Sequence, residues 1–165
     1  LQARLMRIKL VGAHELLPDL VAPVGQIAGP PADEDDHELA RRAIEIARQI
    51  GATDLGQAVV LSGLRPVAAE DAGGTDALLE RVATLKARGL IGNGEAKLVL
   101  GKALKPRQPT FVDMPAIGPR TIENAAAAGI DLIGVEAGRS LLIDRAEMVA
   151  MAATRGISVL GVRRG

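Results

Sequence analysis

The sequence predicts an α/β fold, a mixed β-sheet flanked by helices, and three observations predict it. Short apolar runs of strand length, "AVVLS", "KLVLG", "DLIGV" and "ISVLGV", recur along the chain. Between them lie longer segments in which apolar residues return every three or four positions. Near the C-terminus a strand, a helix and a strand follow one another, an order that calls for two parallel strands joined by a right-handed crossover.

Residues 1–22 open with an amphipathic stretch, and a strand is predicted around Ile8–Val11. Pro23–Asp36, rich in Pro and Gly and ending in acids, reads as a loop. The clearest helix runs from Glu34 to Ile50, with Leu39, Ala43, Ile46, Ala47 and Ile50 as its apolar face. Acids crowd its first turn, Arg48 lies in its last and Gly51 follows as a stop, all matched to the helix dipole. The run "DEDD" is accordingly read as a capped, solvated helix start. "GQAVVLSG" and "RPVAAE" are two strands around a Ser-Gly turn. Gly73–Gly89 is a helix with Thr75 or Asp76 as N-cap and Leu78, Leu79, Val82 and Leu85 as its buried stripe. After the "GLIGNGEA" loop, "AKLVLGKAL" is an apolar strand ending in lysine. A helix then starts with Pro119 at its first position and closes at Gly129. "IDLIGVEAG" is a strand. "DRAEMVAMAATRG" is a helix with a predicted Asp144–Glu147 capping box and a stop at Gly156. "ISVLGV" is the last strand.

Composition narrows the function. With Phe111 the lone aromatic among 165 residues, the core has to be built from Leu, Ile, Val, Ala and Met. Twenty basic residues balance twenty acidic ones, so no overall field recruits nucleic acid or an anionic membrane. The absence of cysteine excludes disulfides, thiolate nucleophiles and Cys-ligated zinc, and fits a cytoplasmic chain. No apolar run approaches the roughly 18 residues of a membrane span. Charged residues interrupt the first apolar stretch, so a signal-peptide layout is lacking. The start at Leu rather than Met leads us to expect a piece of a longer protein, its C-terminal part.

Four places could carry chemistry. In "TFVDMPAIGPRTIENAAAAG", Asp113 precedes a Pro- and Gly-stiffened entry into a helix. The first turn of that helix, with Arg120 and Thr121, suits a phosphate, and a nearby acid suits Mg2+ or a water. The competing reading is an Asp that bonds only its local backbone. "GGTD" is a second such place: Gly74 permits close backbone approach, and Thr75-Asp76 start a helix. Lys102 and Lys105 follow an apolar strand, and Glu136 ends another, where ligands bind in α/β sheets. His14 and His37 form no metal-type pair. Walker A, Rossmann-glycine and nucleophile-elbow motifs are missing.

Taken in order, "GAHELLPDL", "DLGQAVV", "EDAGGTDALL", "KALKPRQ", "VDMPAIGPRTIE", "GVEAGRSLLIDR" and "GISVLGV" resemble the C-terminal domain of the LpxI family, the UDP-2,3-diacylglucosamine pyrophosphatases of Gram-negative lipid A synthesis. The likeness runs from about Val11 to Val162 and makes residues 1–165 one such domain. It implies a two-domain enzyme whose N-terminal Rossmann-like domain is absent from this chain. It also implies Mg2+-dependent hydrolysis of UDP-2,3-diacylglucosamine to UMP and lipid X, with water directed at the sugar-side phosphorus. By the same resemblance Asp113 is the essential carboxylate, binding Mg2+ or orienting the attacking water. Thr75 and Asp76, with Gly74, contact the pyrophosphate or the metal, while Lys102, Lys105 and Gln108 match a lysine-rich motif that neutralises phosphoryl charge. Gly118, Thr121 and Glu136 stand in the second rank. Two positions depart from the family pattern, Pro109 and Gly73, each where an acid is expected. They leave a non-catalytic sugar-nucleotide or acyl-chain module as the alternative. The lipid substrate is compatible with peripheral contact at the inner membrane, and the oligomeric state stays open.

Overall fold

The computed structural model describes residues 18–92, 94, 96–106 and 114–163. The strand predicted at Ile8–Val11, and with it Gln108 and Asp113, lies outside the described residues. Among the described residues, twelve helices and strands follow a single-turn 3-10 helix at Pro18–Leu20: β1 (Gly25–Ala28), α1 (Glu34–Ala52), β2 (Ala58–Ser62), β3 (Arg65–Ala69), α2 (Gly74–Ala87), β4 (Leu98–Lys102), β5 (Ala116–Ile117), α3 (Pro119–Ala128), β6 (Leu132–Glu136), β7 (Leu141–Leu142), α4 (Arg145–Arg155) and β8 (Ser158–Val162).

Six strands form one mixed sheet in the order β1-β8-β6-β4-β2-β3. The β4–β6 and β6–β8 pairs are parallel and the remaining pairs antiparallel, as the strand–helix–strand order predicted for β6, α4 and β8. The short β5 and β7 pair separately, in parallel. Alternation along the strands splits the core in two. Val59, Leu61, Val99 and Leu132 face α1, whereas Val60, Leu100, Ile133 and Val159 face the layer of α2, α3 and α4. Helix α1 lies very close to the sheet, because a Cβ built on Gly101 would come within 2.6–2.7 Å of Ala43.

Several local expectations are corrected. Pro23–Asp36 is not all loop, since β1 lies inside it and pairs with β8 through its backbone. Four residues around one half-buried Ile27 give no alternation to read. Gly51 does not stop α1 but lies within it, and Thr53 caps the end by donating its hydroxyl to Ile50 O at 2.7 Å. Glycine stands at 51 because a Cβ would meet Lys105 Cα at 3.3 Å. Arg48 is therefore not in the last turn, which carries no basic residue. The acidic start of α1 is capped, by a box between Asp33 and Asp36, but Asp36 is buried rather than solvated and pairs with Lys97 at 2.6 Å. Helix α2 is N-capped by Gly73 without a side-chain bond, not by Thr75 or Asp76, whose side chains are engaged elsewhere. The Asp144–Glu147 box does not form. Asp144 adopts φ 46°, a left-handed conformation, and makes no side-chain cap bond to the first turn of α4.

Candidate functional site

The C-terminal end of β4 meets the first turns of α2 and α3, so two positive helix ends converge on a strand end. Between them lies a cavity of about 210 Å³ lined by Gly73, Gly74, Thr75, Asp76, Lys102, Ala116, Arg120 and Thr121. A neighbouring hollow of about 490 Å³ shares Ala116, Arg120 and Thr121 and continues past Gly118, Ile143, Asp144 and Glu147. Five of the predicted residues, Gly74, Thr75, Asp76, Lys102 and Thr121, thus come together around one cavity, and Gly118 lies in the hollow beside it.

The α2 wall is anionic and accepting. Thr75 donates its hydroxyl to Glu70 Oε2 at 2.8 Å. Asp76 accepts from Asn124 Nδ2 at 3.0 Å and pairs with the largely exposed Arg120 at 3.3 Å. Before the helix, Asp71 accepts from Gly73 N at 2.9 Å and from Arg81. Those contacts, the Gly73 N–H first, hold its carboxyl below the ordinary carboxylate value. Arg81 also donates to Ala69 O, which locks the turn between β3 and α2.

The opposite wall is cationic and donating. Lys102 is only 6% exposed and gives a hydrogen bond to Ala116 O at 2.9 Å, so the end of β4 is tied to β5. Gly118 N donates to Thr121 Oγ1 at a long 3.4 Å, so this hydroxyl acts as acceptor within its own turn and keeps its proton to give. A cavity with a carboxylate on one side and an ammonium with a helix end on the other can hold an anion and a cation side by side.

Two further predicted residues are placed apart from this cavity. Lys105 pairs with Asp54 at 2.8 Å, and that ammonium holds the Asp54 carboxyl below its ordinary value. Glu136 is 1% exposed, accepts from Leu104 N at 3.1 Å and stands 4.0 Å from Arg139 Nε, which braces the backbone just beyond β4. Sequence reasoning passed over Glu70 and Asn124. Glu70 carried the same signal as Glu136, an acid at the end of a strand. Asn124 carried a helical one, four residues after Arg120 and so on the same face of α3. Among the described residues no group of three or more His, Asp or Glu side chains could hold a metal.

Fold and cavity together define an α/β domain in which a strand end and helix N-termini line a cavity that carries charges of both signs. The LpxI C-terminal domain family model matches residues 23–160. The UDP-2,3-diacylglucosamine pyrophosphatase LpxI of Caulobacter vibrioides is 45% identical over 157 residues, which cover 93% of this chain and 55% of that protein. This chain belongs to the LpxI family and carries its C-terminal domain. It spans about half the length of the curated relative it matches.

Proposed function

We propose that this chain is the C-terminal, catalytic and substrate-binding part of a hydrolase that cleaves UDP-2,3-diacylglucosamine to UMP and 2,3-diacylglucosamine 1-phosphate, in the synthesis of lipid A. The observation that carries this reading is the two-sided cavity at the starts of α2 and α3, in a chain 45% identical to a protein of that name. A diphosphate linkage needs donors and positive charge for its oxygens, and Lys102, Thr121, Arg120 and the α3 end supply both. The greater length of the Caulobacter protein supports an N-terminal domain of the same polypeptide as the second half of the substrate site.

Mg2+ is proposed as the cofactor. Such an ion is usually held by one or two carboxylates together with substrate phosphates, so the lone carboxylate that Asp76 brings to the cavity fits it without a larger acid cluster. When bound, the ion would offset diphosphate charge and make phosphorus more open to attack. Asp113, outside the described residues, is proposed as the second acid, binding that ion or orienting the water. Lys105 and Gln108 are proposed as outer contacts to the phosphoryl groups. No helix among the described residues is long and apolar enough to cross a membrane, and a peripheral contact at the inner membrane is proposed because the substrate carries acyl chains.

The test uses the complete polypeptide with Mg2+ and UDP-2,3-diacylglucosamine. UMP release is expected from the wild type and not from Asp113→Ala, and with oxygen-18 water the label should enter lipid X rather than UMP. A second reading, a non-catalytic binding module, draws on Gly73 standing where the family pattern has an acid and on Asp76 being already held by Asn124 and Arg120. Saturable binding of lipid X by a complete polypeptide that releases no UMP would establish that reading instead.

A further inference from the structure

Glu70 was given no role from the sequence, yet it is buried to 8% exposure and bonded to Thr75, a residue of the cavity wall. Its amide donates to Ala58 O at 2.9 Å, which extends the β2–β3 ladder by one residue, and Ala58 in turn stands opposite Lys102 in β4. Glu70, Ala58 and Lys102 therefore form one row across three strands. Residues opposite one another on neighbouring strands share a face, so both charged side chains rise on the α2–α3 side with only a methyl group between them. Sheet geometry separates their Cα atoms by about 10 Å, twice the spacing of neighbouring strands.

We propose that Glu70 is a positioning residue that sets the hydrogen-bonding sense of Thr75. A hydroxyl has one proton, and an ionised carboxylate can only accept. Because Thr75 spends its proton on Glu70 Oε2 at 2.8 Å, its oxygen turns lone pairs toward the cavity. Thr75 then repels a bare phosphate oxygen and accepts from a donor: a hydroxyl or amide N–H of the ligand, or a cation with its bound water. Thr121 has the opposite polarity, since it accepts from Gly118 N and retains a proton for a phosphate oxygen. The two threonines face the same cavity with opposite sense, so the diphosphate is directed to the α3 wall and the donor or cation to the α2 wall. This inference rests on the hydrolase reading given above and assigns the orientation of the substrate within it.

The experiment is a double-mutant cycle on the complete polypeptide, with kcat/KM for UDP-2,3-diacylglucosamine and the thermal midpoint read for each variant. Glu70→Ala and Thr75→Val are each expected to lose about tenfold in kcat/KM, and the double variant to lose no more than either one, since one interaction has been removed twice. Glu70→Gln is expected to stay within about threefold of wild type, because its amide oxygen can take the same proton. Should Glu70→Ala melt below the assay temperature, Glu70→Leu, which fills the space without an acceptor, replaces it. Losses that multiply in the double variant overturn the proposal. So does a Glu70→Gln variant as impaired as Glu70→Ala, which would mean that the negative charge itself acts on the ligand. A wild type that releases no UMP sinks the hydrolase reading and this inference with it, whereas an active wild type with an unaffected Glu70→Ala sinks this inference alone.

Discussion

Asn124 Nδ2 donates to Asp76 Oδ1 at 3.0 Å, joining the first turn of α2 to α3 across 48 residues of chain. Asp76 is about half exposed, and among the described residues its carboxylate is held by this bond and by the long, solvent-facing contact with Arg120. Asn124→Ala should leave Asp76 free to rotate. The loss is expected at the lower end for a hydrogen bond to a charged group, about 1.5 kcal/mol, or close to tenfold in kcat/KM. Asn124→Asp should do more harm than alanine by setting a second carboxylate against Asp76. Steady-state UMP release separates the two variants. An Asn124→Asp protein as active as wild type would remove this link from the site.

The two lysines of "KALKP" look equivalent in sequence and differ in the fold. Lys102 is nearly buried, lines the cavity and holds β5, while Lys105 is partly exposed on a salt bridge to Asp54. An ammonium in a dry site interacts with a phosphoryl group far more strongly than one in water. Lys102→Met is expected to lower kcat by about a hundredfold or more, and Lys105→Met by less than about tenfold. Equal losses in a side-by-side assay would contradict the different placement of the two side chains.

Much of the fold was legible because it is written in periodicity. The apolar runs of β2, β4, β6 and β8 and the stripes of α1 and α2 need nothing beyond local pattern. What failed was decided by tertiary contact. Strand β1 exists because β8 offers it a backbone edge, β5 and β7 are two residues each, and Gly51 lies inside a helix where the backbone of Lys105 approaches it closely. The same division holds for the site. Thr75, Asp76, Lys102 and Thr121 were candidates from helix starts and strand ends together with family likeness, and the fold gathers them around one cavity. Glu70 and Asn124 were missed because their roles depend on which residue each one faces across the fold, information absent from spacing.

Gly101 tests the packing that lets α1 lie against the sheet. An added methyl group would sit 2.6–2.7 Å from the backbone and Cβ of Ala43, neither of which can turn aside as a flexible side chain would. Gly101→Ala should push α1 outward and destabilise by about 1–3 kcal/mol. For a chain of this size that lowers the melting midpoint by several degrees, roughly 2–4 °C per kcal/mol. A thermal melt by circular dichroism reads it directly, and an unchanged midpoint would show that α1 shifts without cost.

The buried pair at the start of α1 predicts an alkaline limit to stability. Lys97 donates to Asp36 at 2.6 Å, and this bond, more than any other influence, raises the lysine above its ordinary 10.5, with Asp36, Asp33 and Asp131 adding attraction and desolvation opposing. A folded-state value above the unfolded one means that the pair stabilises fully below pH 10.5 and that its contribution fades as the pH climbs through the raised value. Asp36 is buried, so Lys97→Met leaves a carboxylate in the core without its counter-ion. Because the lysine itself is 44% exposed, the cost at neutral pH should fall below that of a wholly buried pair, at about 1–2 kcal/mol. Denaturant midpoints of wild type and Lys97→Met should therefore differ by a constant amount from pH 7 to about pH 10 and converge above it. A gap that persists unchanged well above the raised lysine value would mean that Lys97 stabilises by packing its methylene stem, not by its charge on Asp36.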